Sequence, residues 1–90
     1  MPEISRFYGI VIKMYFADHA PPHFHAEYAE YEARIAIESL ALLSGELPPR
    51  AMGLVAEWAT LHRAELRSVW GQARRFEPLG RIDPAAQCAA

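Results

Sequence analysis

HFHAEYAEYEARIAIE, His23 to Glu38, reads as two strands and the turn between them. In its first half Phe24, Ala26 and Tyr28 fall on one face and His23, His25 and Glu27 on the other, because successive side chains of a strand point to opposite sides. The second half repeats the pattern, with Tyr31, Ala33, Ile35 and Ile37 on one face and Glu32, Arg34 and Glu38 opposite. A tight turn at Ala29-Glu30 pairs Ala26 with Ala33 and Phe24 with Ile35. The same register sets His25 beside Arg34 and Glu27 beside Glu32. Both apolar sets then share one face, as a half-buried hairpin requires. The turn is the unusual part, since Ala-Glu offers neither the glycine nor the asparagine that two-residue loops favour.

Upstream, YGIVIKMYF from Tyr8 to Phe16 is rich in β-branched and aromatic residues and predicts another strand, with Ile10, Ile12, Met14 and Phe16 on one face. Ala20-Pro21-Pro22 separates it from the strand that begins at His23, since proline supplies no ladder donor. Downstream the period changes. After the breaker SGELPP, Ala51, Leu54, Val55, Trp58, Leu61, His62, Leu66, Val69, Trp70 and Ala73 recur at helical spacing. Pro48 and Pro49 suit a helix's first turn, and Gly71 marks a place where the helix ends or bends. The expected fold is α+β: a small antiparallel sheet of three or four strands packed on one long helix or helix pair. The helix covers the apolar face and leaves the histidine face open. PLGRIDP is a further candidate edge strand.

Ninety residues, about half of them apolar, make one domain, expected over residues 1–84 with a flexible tail at 85–90. A net charge of −2 argues against a chain that binds nucleic acid through its overall charge, so contact with RNA or DNA requires a local basic patch. The single cysteine, Cys88, has no partner for an internal disulfide or a thiolate metal site. No apolar run approaches the length of a membrane span, and the start lacks the basic and apolar segments of a leader. A cytoplasmic location without membrane contact is the expectation.

Three segments together, MPEISRFYGIVIKMYF, PPHFHAEY and the helix LPPRA…EWA…HR…L, resemble a small bacterial family catalogued as domain of unknown function 4160. The resemblance runs from Pro2 to about Pro84. It implies a chain encoded beside a second small protein, hence the toxin-like half of a toxin–antitoxin pair acting with a small cognate antitoxin-like partner. Some members carry a transcriptional-regulator label. The chain departs from the family pattern at Ala17 and Ala20, where polar residues are more usual, and in the tail after Asp83.

The histidine-rich loop and strand support three chemistries. His23 and His25, two apart on one strand face, with His19 or Asp18 reaching back from the loop, offer nitrogen and oxygen donors to a divalent transition metal such as zinc or nickel. Alternatively, without a metal, His23 and His25 act as acid and base on a phosphodiester, with Arg34 stabilising the developing charge, as in a small ribonuclease; with the metal, the site is that of a metal-dependent hydrolase. Glu27, Glu30, Glu32 and Glu38 stand nearby and repel an RNA backbone unless they are paired. The third chemistry is a protein-binding surface, because an open sheet face or edge accepts a partner. The alternative of a different class is a non-catalytic metal- or nucleic-acid-binding regulatory domain. Trp58 and Trp70 read as core, each indole N–H seeking a carbonyl. Arg63, Arg67, Arg74 and Arg75 give the helix a basic side, and a break near His62 allows a helix-turn-helix reader.

Overall fold

The hairpin at the centre of the chain forms in the expected register. In the computed structural model, which describes residues 3–16 and 18–84, β3 (His23–Tyr28) pairs antiparallel with β4 (Tyr31–Ala36), matching Phe24 with Ile35, His25 with Arg34, Ala26 with Ala33 and Glu27 with Glu32. Ala29 meets the demand of the short loop by adopting a positive φ of 53°. That region costs a non-glycine residue about 1–2 kcal/mol, which the flanking ladder offsets. The tail 85–90 with Cys88, and Ala17 of the loop, lie outside the described residues.

Two strands complete the sheet beyond those anticipated. The run Tyr8 to Phe16 is not one strand: Tyr8 and Gly9, at φ 51° and 79°, form a two-residue turn between β1 (Glu3–Phe7) and β2 (Ile10–Lys13). Two consecutive positive φ values match the right-handed twist of a hairpin, and Gly9 is the residue that adopts one without strain. β1 lacks strict alternation because the register shifts between Glu3 and Ser5, so Ile4 and Ser5 are both buried. β5 (Leu42–Gly45) pairs with β4 and runs into the first two residues of SGELPP, the segment read as a breaker, and all four of its residues are exposed. The five strands follow chain order, β1-β2-β3-β4-β5, each antiparallel to its neighbours.

The helical stripe is a pair, α1 (Pro49–Leu61) and α2 (Arg63–Arg74), broken at His62, whose φ of −118° and ψ of 24° leave the helical region. Gly71 neither ends nor breaks α2. Trp58 of α1 is fully buried, with ring centroids 5.3 Å from Phe7 and 6.0 Å from Phe24, and its indole N–H donates to the Asp83 carbonyl at 2.8 Å. PLGRIDP forms no strand. It returns across the core instead, burying Ile82 and donating the Ile82 amide to the Ile4 carbonyl at 2.8 Å.

The bend at His62 overturns the expectation of an open histidine face. His23 is 3% and His25 8% exposed. Trp70 of α2 lies 5.4 Å from the His23 ring, and Tyr15 stands edge-on 4.5 Å from His25. The histidine end of β3 is therefore covered on both faces.

Two glycines predict opposite stability changes. A Cβ at Gly45, where φ is +77°, would lie 2.1 Å from the backbone oxygen of Glu32, so Gly45→Ala lowers unfolding stability by about 2 kcal/mol or more. Gly53 is exposed in α1 with nothing within 4 Å of its Cβ position, so Gly53→Ala raises stability by about 0.5–1 kcal/mol. Urea unfolding of the two variants measures both, and equal shifts would contradict the close approach of β5 to β4.

Candidate functional site

The loop after β2 brings Asp18 over the start of β3. Its Oδ2 lies 3.0 Å from His23 Nε2 and 3.1 Å from His25 Nε2, so two imidazoles converge on one carboxylate oxygen. The other oxygen, Oδ1, accepts the backbone amide of His19 at 2.8 Å, which fixes the carboxylate's orientation. Burial raises the Asp18 pKa, but the His25 hydrogen bond, the His19 amide and the charges of both imidazoles outweigh it. The carboxyl sits below the ordinary aspartate value and is ionised at neutral pH.

The protons on His23 follow from its other nitrogen. Nδ1 lies 2.7 Å from the carbonyl of Pro21, and a carbonyl only accepts, so Nδ1 carries a proton. The neutral ring therefore presents the Nε2 lone pair to Asp18, which has only lone pairs to return. Two arrangements resolve this: His23 is an imidazolium donating to both neighbours, or a cation lies between the three groups. The Pro21 carbonyl holds the ring as the outer partner of a metal-bound histidine does. One donor atom each from Asp18, His23 and His25 falls within 4.8 Å of the others. Donors held about 2.0–2.1 Å from one tetrahedral zinc stand about 3.3 Å apart, close to the two carboxylate contacts.

Nδ1 of His25 is buried without a hydrogen-bond partner, and Glu32 Oε2 stands 3.7 Å away, beyond hydrogen-bond reach. His25 also lines a shallow depression of about 360 Å³ together with Glu32, Ala33, Arg34, Ser44 and Gly45. Arg34 is thus placed beside His25 by the β3–β4 register, with its side chain exposed and without an ion pair among the described residues. His19 is not gathered into the cluster: its residue is exposed and contributes the backbone amide.

The nearby charges are more balanced than the sequence suggests. Lys13 pairs with Glu27 at 3.0 Å across the β2–β3 ladder, and Arg67 holds Glu38 through two hydrogen bonds. Arg75 likewise engages Glu77, and Arg63 donates to the Ile37 carbonyl, so much of the helix's basic side is committed within the chain. The break at His62 exists, but one residue joins the helices where a helix-turn-helix has a turn of three or four. His62 Nδ1 meets Glu65, and the ring packs on Trp58. Residue spacing does not disclose Tyr15, Trp70 or Glu32 as walls of the site, since their approach depends on the loop, the helix bend and the cross-strand register.

No helix among the described residues is long and apolar enough to cross a membrane. No curated protein and no solved structure matches the chain. A family model described as a domain of unknown function (DUF4160) matches residues 9–71, from the turn before β2 into α2, and so spans Asp18, His23, His25 and Arg34. The chain belongs to the DUF4160 family.

Proposed function

We propose that Asp18, His23 and His25 hold a divalent transition metal, zinc or nickel, and that this centre is the working surface of a toxin-like component acting in the cytoplasm with a small cognate partner protein. One observation carries the metal reading: two Nε2 atoms converge on a single oxygen of ionised Asp18, while His23 Nδ1 is already committed to the Pro21 carbonyl. Two imidazoles and a carboxylate suit zinc and nickel, and three protein ligands leave a position for an outside ligand. A metal held this way supplies Lewis acidity at that position. Arg34 and the depression beside His25 give an anionic substrate a cation close by, and the Lys13–Glu27 and Arg67–Glu38 pairs reduce the repulsion it meets.

A metal-free reading rests on the same contacts. With His23 as imidazolium, the trio is an acid–base relay of the kind used on phosphodiesters, with Arg34 as the charge stabiliser. A regulatory domain that binds metal or nucleic acid without catalysis is the alternative of a different class.

Titration of zinc and nickel into untagged protein stripped by chelator separates these readings. The metal reading expects one equivalent bound. His23→Ala or His25→Ala should weaken binding by more than about a hundredfold, since loss of an outer-shell partner alone costs tenfold to a hundredfold. Because an imidazole nitrogen must be unprotonated to ligate a metal, binding weakens in acid. No stoichiometric uptake returns the site to acid–base work.

Expression in cells tests the biological half. The chain is expected to arrest growth, and His23→Ala with His25→Ala should relieve the arrest while the fold, checked by circular dichroism, and capture of the partner persist. An equally toxic double variant would place the working surface elsewhere.

A further inference from the structure

At the opposite end of β3 from the histidines lies a cavity of about 480 Å³, within the size range of small-molecule sites. Ile10, Pro48, Ala51 and Leu54 form its apolar lining, Tyr8 and Tyr28 stand at its rim, and Arg50 is its one charged lining residue. The chain has eleven acidic side chains, and none lines this cavity. The site therefore favours an anion despite the negative net charge of the whole.

We propose that this cavity binds a nucleotide, its base against Tyr8 and Tyr28 and its phosphate on Arg50. Both tyrosines are partly free to stack, with relative exposures of 54% and 36%. The Tyr8-Gly9 turn fixes the Tyr8 backbone in the left-handed region, and the Tyr28 ring packs beside Gly9, 3.5 Å from where a Cβ would sit. The rim is thus held by the β1–β2 hairpin and needs little ordering on binding. Arg50 is exposed and has no ion pair among the described residues, so its guanidinium is available for a bidentate phosphate contact. It stands in the first turn of α1, which contains no acidic residue and no side-chain cap to compete for the anion. Aromatic stacking accepts any base, so the class is a nucleotide rather than one nucleobase. The proposal is independent of the metal reading: Tyr28 and His25 lie on opposite faces of β3, three residues apart.

The test is an NMR titration of the full chain with adenosine 5′-monophosphate, adenosine, inorganic phosphate and a short oligoadenylate, following the Tyr8 and Tyr28 ring signals. The monophosphate should shift both rings and bind at least about tenfold more tightly than adenosine or phosphate alone. Arg50→Ala should remove most of the advantage of the monophosphate over adenosine. Tyr8→Asn creates the Asn-Gly pair favoured in this turn, so it keeps the fold while weakening the monophosphate about tenfold. Tighter binding of oligoadenylate identifies RNA as the source, and equal binding identifies the free nucleotide; both support the site. Absence of ring shifts at millimolar monophosphate overturns it, as does unchanged binding by Tyr8→Asn. Binding of N-acetyltryptophan in place of the nucleotide would also overturn it, and would assign the cavity to a peptide terminus.

Discussion

The indole of Trp58 is the contact on which the rest of the molecule closes. It reaches Phe7 of the first strand, Phe24 of the central strand and His62 at the helix break, and its N–H is satisfied by the carbonyl of Asp83, twenty-five residues along the chain. A ninety-residue domain has a thin core, and truncating a buried tryptophan typically costs about 3–5 kcal/mol, a large share of its stability. The indole also explains why the C-terminal segment lies where it does: Asp83 ends the hydrogen bond while Ile82 is buried beside Ile4. A segment anchored in this way has no need of a strand ladder.

With one face of the sheet closed by Trp58, the bend at His62 turns α2 so that Trp70 meets His23. Burying imidazoles costs free energy unless their nitrogens find partners. Three of the four ring nitrogens of His23 and His25 do find them, in Pro21 and Asp18, while His25 Nδ1 does not. The loop therefore has a structural task, to carry Asp18 back over the strand, and a chemical consequence, an ionised carboxylate facing two imidazole nitrogens in a partly dry setting. A low local dielectric strengthens every interaction in such a cluster.

Alternation made the β3–β4 hairpin legible, because only one register places Phe24, Ala26, Ala33 and Ile35 on a common face. Where alternation fails, so does the reading. The register shift between Glu3 and Ser5 conceals β1, the aromatic and β-branched run from Tyr8 hides a turn, and Leu42 to Gly45 carries no buried face to announce a strand. The family resemblance was legible in PPHFHAEY and the helix that follows. Within the site, the histidines and Asp18 could be named from their spacing, as could the neighbourhood of His25 and Arg34. The exclusion of the His19 ring could not, since it depends on which way a proline-bounded loop turns. Neither could the burial of His23, which depends on a bend at His62, thirty-nine positions away.

The central strand sets the spacing of the two candidate sites. His25 and Tyr28 are three residues apart, about 10 Å along an extended chain, and the odd separation sends them to opposite faces. A ligand at either end meets groups fixed by the same ladder, which is paired on both sides by β2 and β4. A ligand bound at either site would stabilise the folded chain by mass action, by an amount that in a domain with so little core is comparable to the effect of a core substitution. The sheet therefore links binding to folding even if neither ligand alters the geometry at the other site.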